Sequence, residues 1–211
     1  MMAPVANCPN CGARIEFRWS SCVQTTCAYC HSILVRTDVD LKRVGQVADL
    51  PPDSSPIQLG TQGVSHHKPF VVVGRIIYEY ELGGWNEWHI VFNDGASGWL
   101  SDAQDEYAVS FQDPVKRQFP SPDAVKPEQK INWNNVTYEI TTITRARYRG
   151  VEGELPFQYW DKTEMFFVDL ETSDGRFATI DYSESEPLLY LGETVEFEDL
   201  QLKNLRRFEG W

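Results

Sequence analysis

Apolar and polar side chains alternate with a period of two along most of this chain, the pattern of strands with one buried face. Trp88, Ile90 and Phe92 alternate with Glu87, His89 and Val91, and Ala178 and Ile180 alternate with Phe177 and Thr179. Near the N-terminus, Ile15, Phe17 and Trp19 alternate with Arg14, Glu16 and Arg18, and Ile33-Leu34-Val35 supplies a return strand. No stretch of ten residues holds a helical period, so helix is expected only in two short pieces, around 121–128 and 199–207. Asp94-Gly95 and Asp174-Gly175 each sit between two such strands, which predicts two tight hairpins.

The strands fall into two blocks that resemble each other. In the first, 85–92 leads through Asp94-Gly95 to 98–102; in the second, 162–170 leads through Asp174-Gly175 to 177–181. Each block opens with an apolar strand, 70–80 and 136–148, and Glu87 aligns with Glu164. Pro-rich stretches at 51–56 and 119–127 punctuate the chain. The expectation is a mainly β protein with five segments: an N-terminal ribbon over 1–37, a linker over 38–56, a first β unit over 57–118, a linker over 119–128, and a second unit over 129–211. The two units read as tandem, similar small β-barrel or roll-like modules packed on each other, since neither would bury a sufficient core alone.

Four of the five cysteines change the picture of the N-terminus. Cys8-Pro9-Asn10-Cys11 and Cys27-Ala28-Tyr29-Cys30 are separated by fifteen residues. Two thiolates two residues apart reach one metal from a tight turn, and two such turns complete a tetrahedron. The spacing predicts a ribbon holding one structural zinc ion on Cys8, Cys11, Cys27 and Cys30, with rubredoxin-like iron or a pair of redox-active CxxC motifs as the alternatives. Cys22 reads as a bystander. Metal-held thiolates imply a reducing, cytoplasmic setting.

Charge narrows the partners. The net charge is −12, and residues 151–211 carry fifteen acidic against five basic side chains. A phosphate backbone would be repelled, so nucleic-acid binding is not expected. The acidic third reads as a solvated surface, or as a lure for a cationic partner such as a basic protein segment or a polyamine. The longest apolar run, Phe70–Val73, is far too short to cross a bilayer, and residues 1–7 lack the features of a signal peptide.

Candidate chemistry is sparse. Glu87 and His89 share one strand face and could form an acid–base pair, and Glu152 and Glu154 flank Gly153 as paired carboxylates. The commoner roles, exposed strand residues for the first pair and turn formation for the second, are preferred. His66-His67 reads as a solvated loop. Trp85 and Trp160 precede corresponding strands of the two blocks and are the tryptophans expected to stand exposed, as anchors of an interaction surface.

The ribbon, Ser55-Pro56-Ile57-Gln58-Leu59-Gly60, Phe70–Ile76, Trp85-Asn86-Glu87-Trp88, Gly98-Trp99-Leu100 and Glu152–Pro156 together resemble the bacterial family called domain of unknown function 4178. The resemblance implies a cytoplasmic β protein without an established activity, and an accessory part in a membrane-stress or membrane-remodelling system. Two function classes follow. One is a non-catalytic interaction or adaptor protein whose expected partner is a protein, a basic one where the acidic surface steers it; the other is an enzyme with a carboxylate/His site between the two β units. A pocket between the units with perturbed carboxylates would favour the second, and an open apolar patch the first.

Overall fold

The computed structural model describes all residues except 1–4, 38–39, 48–49, 51–53, 115–117, 134, 159–163 and 209–211. The short strands β1 (Val5–Asn7), β2 (Arg14–Glu16), β3 (Gln24–Thr26), β4 (Ser32–Arg36) and β5 (Leu41–Gln46) build the N-terminal ribbon. They are followed by β6 (Gln62–Ser65), β7 (Lys68–Tyr80), β8 (Gly83–Phe92), β9 (Ser97–Ala103) and β10 (Glu106–Gln112). The second block contributes β11 (Lys130–Trp133), β12 (Val136–Leu155), β13 (Glu164–Glu171), β14 (Arg176–Asp181) and β15 (Leu188–Val195). Helix among the described residues amounts to two single turns of 3₁₀, Pro122–Ala124 and Glu198–Leu200, in place of the two short helices expected.

Both Asp-Gly hairpins form. Asp94-Gly95 turns β8 into β9 and Asp174-Gly175 turns β13 into β14, with Gly95 and Gly175 in the left-handed region that a β-carbon penalises. Each block is a four-stranded antiparallel meander, β7-β8-β9-β10 and β12-β13-β14-β15. The blocks do not close separately, which corrects the picture of two packed barrels. β10 pairs with β15 and β7 pairs with β12, so the eight strands run in one antiparallel circuit. A four-stranded meander leaves two edges of unpaired backbone groups, and pairing edge to edge with its neighbour satisfies both.

The β7–β12 seam depends on close backbone approach. Gly74 pairs with Gly153, and a β-carbon at Gly74 would stand 2.0 Å from the Glu154 carbonyl oxygen. Register shifts at 72/74, 140/142 and 148/150 bend β7 and β12 around the seam.

The alternation of side chains runs opposite to the usual one. The apolar residues of β8 and β9 (Trp88, Ile90, Phe92, Leu100) point out of the circuit and are covered by Ile57, Leu200, Leu202 and Leu205. The C-terminal segment is held there by a two-way backbone bridge between Gln62 and Lys203. On the other side, Ile140, Val168, Leu170 and Ile180 lie under Val125, Trp133 and Tyr138. The positions between them, many of them polar, point inward.

One end of the interior is filled by apolar residues. Tyr148, Val151, Leu155, Met165 and Phe167 meet Ile33 of β4, with Val44 and Val47 beside it. The ribbon therefore plugs this end, joined also by the pairing of β3 with Glu154 and Leu155 of β12. β5, in the segment read as a linker, is the third strand of the ribbon's sheet, and Leu41 is buried with the cysteines.

Candidate functional site

The two cysteine pairs converge. Their four Sγ atoms lie within 4.8 Å of one another, with Cys8 to Cys30 and Cys11 to Cys27 each at 3.7 Å. Thiolates about 2.3 Å from a shared ion at tetrahedral corners stand about 3.8 Å apart, so the arrangement fits a four-thiolate metal site. The turns that shape it are equivalent. Gly12 N–H donates to the Cys8 carbonyl and His31 N–H to the Cys27 carbonyl, and both Gly12 and His31 have left-handed backbones. Cys22 is buried apart from the cluster and its thiol donates to the Gln24 carbonyl, as a bystander would.

The open half of the circuit holds a cavity of about 460 Å³, within the usual range for small-molecule sites. Its aromatic wall is a stack of Trp85 on Tyr78, ring centroids 4.7 Å apart, with Phe167 edge-on to both. Trp99 and Tyr190 also line it. Set among these rings are three carboxylates, Glu87 of β8, Asp169 of β13 and Asp181 of β14. β14 lies four steps around the eight-strand circuit from β8 and β13 three, so Glu87 faces the two aspartates across the interior.

The hydrogen-bond donors to these carboxylates are neutral. Ser101 donates to both Glu87 oxygens (3.0 and 2.9 Å) and the Trp85 indole N–H to one of them (3.0 Å). Thr179 donates to Asp169 at 2.7 Å, and the Ser183 N–H to Asp181 at 2.8 Å. Among the described residues that line the cavity there is no lysine, arginine or histidine. Burial therefore pushes Glu87 up to about 8, against the lowering by Ser101 and Trp85 and helped by the charges of Asp169 and Asp181. Burial likewise raises Asp169 and Asp181 to about 6 each.

The other candidate residues do not converge on Glu87. His89 is fully buried, its ring 4.9 Å from Trp19 and 5.2 Å from Trp99, and its Nδ1 is 2.8 Å from the Glu154 carbonyl oxygen. That oxygen can only accept, so Nδ1 carries the proton, and burial holds the imidazole neutral by lowering it to about 4. The Glu154 carboxylate accepts the backbone N–H groups of Arg18 (2.7 Å) and Trp19 (2.9 Å), fixing the ribbon to the barrel. Glu152 pairs at 3.1 Å with Arg75, whose guanidinium lies 4.6 Å over the Trp88 ring and bonds Asn86. His66 and His67 form the left-handed turn between β6 and β7.

Trp85 corrects an expectation: it is not an outer anchor but part of the cavity wall, because its strand turns that face inward. Trp160 lies outside the described residues. Glu87 and Glu164 are not equivalent either, since Glu164 is exposed at the start of β13 and pairs with Arg145. Asp169, Asp181 and Tyr190 were not singled out from the sequence. The signal that could have found them is a polar residue at every second position of a strand whose alternate positions are apolar.

Comparison with curated proteins and with solved structures gives no match. Comparison with protein families gives one, over residues 58–197, which takes in β6 to β15 and leaves out the cysteine ribbon. By that match the chain belongs to the family described as domain of unknown function DUF4178.

Proposed function

We propose that this protein is a small-molecule-binding β-barrel that acts by holding its ligand rather than by transforming it. The cavity carries this reading: a space of about 460 Å³ inside a closed circuit, walled by a Tyr78–Trp85–Phe167 aromatic cluster and punctuated by a few polar groups. It lies between the two strand blocks, where the enzyme alternative placed its site. Of the residues named for that alternative only Glu87 lines the space; His89, Glu152 and Glu154 are engaged elsewhere. An adaptor role anchored on Trp85 loses that anchor.

The test is to incubate the purified protein with a small-molecule extract of its source cells and identify what it retains by mass spectrometry. A retained compound, lost when the space is filled by Ala103→Trp or Ala108→Phe in a protein with an unchanged circular-dichroism spectrum, is the expected result. Equal recovery from the filled variants overturns the reading.

One observation favours a catalytic second reading: Glu87 is pushed well above Asp169 and Asp181, as in acid–base carboxylate pairs. If the retained compound returns chemically altered, and Glu87→Gln stops the alteration, that reading replaces the first.

For the ribbon we propose a single zinc ion. Four cysteine ligands complete its tetrahedron and leave no position for a substrate, so its part is to fold the ribbon. This setting fits a reducing compartment such as the cytoplasm. One equivalent of zinc by elemental analysis is expected; another metal, or none with the ribbon still folded, overturns it.

A further inference from the structure

We propose that the ligand of the barrel cavity is an organic ammonium ion, an apolar or aromatic body bearing a protonated amine, with Glu87, Asp169 and Asp181 as its counter-charges and Trp85, Tyr78 and Phe167 around its apolar part. This rests on the reading of the barrel as a small-molecule site and names the chemistry of its occupant.

The first argument is charge. Three inward carboxylates stand on opposite walls, and none of the described lining residues is basic. The exposed rim is acidic too, with Glu106 and Glu171, and a neighbouring surface hollow that shares this rim adds Asp105, Glu196 and Asp199, together with Glu193, which pairs with His66 at 3.3 Å beside His67. Clefts lined by one sign of charge raise the local concentration of the opposite ion.

The second argument is what the carboxylates lack. Their protein donors are a serine, a threonine, an indole and a backbone amide, all neutral. A carboxylate held away from bulk water is further stabilised by a cation where one can reach it, and the partly exposed Glu152 with the buried Arg75 shows this chain building an ion pair outside the cavity. An anionic ligand would meet repulsion here, and a neutral one would leave the mismatch in place.

The third argument separates an organic cation from a metal ion. Among the described residues, the four cysteines are the only group whose ligand atoms come close enough to share one ion. The three carboxylates are spread around the wall and interleaved with rings. Aromatic faces attract ammonium groups and take up the hydrocarbon attached to them. A dispersed set of carboxylates between rings suits a cation with a body.

Binding has a proton signature. The titratable groups facing the space are Glu87, Asp169, Asp181, the rim residues Glu106 and Glu171, and the phenols of Tyr78, Tyr80, Tyr107 and Tyr190, with Glu184 acting on Asp181 from nearby. Burial raises Tyr190 further above its ordinary value, so it stays protonated at neutral pH. At pH 7 the empty site holds Glu87 mostly protonated. An ammonium ion favours its carboxylate, so binding releases a proton from Glu87 to buffer, and affinity rises as pH climbs from about 6 to about 8.

The experiment is calorimetric titration of the whole zinc-loaded protein with two matched sets: hexylammonium, 1-hexanol and hexanoate, and 2-phenylethylammonium with 2-phenylethanol. The ammonium members are expected to bind at least about tenfold more tightly than the alcohols, and hexanoate not to bind. Repeating the titration in buffers of different ionisation enthalpy should show proton release near pH 7. Glu87→Gln, isosteric and checked by near-ultraviolet circular dichroism, should weaken the ammonium ions at least about tenfold and abolish that release, while changing the alcohols little. Asp169→Asn and Asp181→Asn provide two further variants, so the result does not depend on one substitution folding. Alcohols or hexanoate binding as well as ammonium ions, ammonium affinity unaffected by all three substitutions, or no ammonium binding at millimolar concentration each overturn the proposal. If the neutral or anionic probes bind and Ala103→Trp abolishes it, the small-molecule reading stands while the ammonium assignment falls. If the extract yields nothing that the filled variants lack, the broader reading falls.

Discussion

At the ribbon end of the barrel, Glu154 receives two backbone N–H groups, from Arg18 and Trp19, and its own carbonyl receives His89. At the open end, Glu87 receives a serine hydroxyl and an indole N–H and faces two aspartates across the cavity. Burial raises both carboxyls. The difference lies in who compensates. Glu154 is bound into the junction of two parts of the fold, so its desolvation is offset within the protein. Both glutamates have two neutral donors, but the charge near Glu154 is that of Arg18, whereas Glu87 faces the like charges of Asp169 and Asp181 and open space in front of it. A third glutamate, Glu152, meets a guanidinium at the outside of the same strand. Three glutamates, two of them neighbours on β12 and one on β8, thus serve three purposes, and their partners distinguish them.

The comparison can be broken most severely at the metal. Chelating the ion, or changing Cys27 to Ser, should remove on the order of 10 kcal/mol of folding free energy from the ribbon. Limited proteolysis should then cut within residues 5–46, and an apo protein as resistant there as the metal-loaded one would contradict the site. Next in size is Glu154→Ala, which strands two backbone donors at the junction and should cost about 2–4 kcal/mol by denaturant titration. Glu154→Gln keeps one acceptor and should cost less. A cost below about 0.5 kcal/mol for the alanine variant would show that water replaces the carboxylate.

The third prediction concerns Glu87 and pH. Its folded value, about 8, exceeds its unfolded one, so the folded state binds more protons between the two, and stability falls as pH rises through that window. The neutral His89, held at about 4, acts in the opposite sense between about 4 and 6.5, and Asp169 and Asp181 titrate near 6. Glu87 therefore dominates among these groups above pH 6.5. Between pH 6.5 and 8 the ligand-free protein should lose about 1–2 kcal/mol relative to Glu87→Gln. Parallel pH–stability curves for the two proteins would refute the burial of that carboxyl. The smallest effect belongs to Glu152→Gln, which keeps an oxygen for Arg75 at a partly exposed position and should change stability by less than about 1 kcal/mol.

What was legible in the sequence is what depends on near neighbours. The Asp-Gly turns and the cysteine knuckles involve residues a few positions apart, and their backbone requirements are written in glycine, proline and thiol spacing. The pairing of Gly74 with Gly153 joins residues far apart in the chain, and no local pattern states it. That pairing turns two meanders into one barrel. The alternation in β8 and β14 shows the period of each strand but not the direction of its faces. A period of two says that a strand has two unlike faces; it does not say that the polar face looks at bulk water. Here the apolar face lies under covering segments such as 200–205, and the polar face lines the cavity. Trp85 is misplaced by the same inversion, since flanking glycines resemble those of an exposed loop whichever way the strand faces. β5 escaped because its apolar residues, Leu41 and Val44, are too few to show a period.

The covering segment at the C-terminus bears on how the protein is produced. The family match ends at residue 197, a natural place to cut a shorter expression clone. Such a clone would delete Leu200, Leu202 and Leu205, which lie on Phe70, Ile90 and Val109, and would remove the Lys203 bridge to Gln62. The strands would still be encoded in full, yet the outer wall of the barrel would present a greasy face to solvent. Poor solubility of that fragment would then reflect a missing lid of three leucines, and extending the clone through residue 207 would cure it.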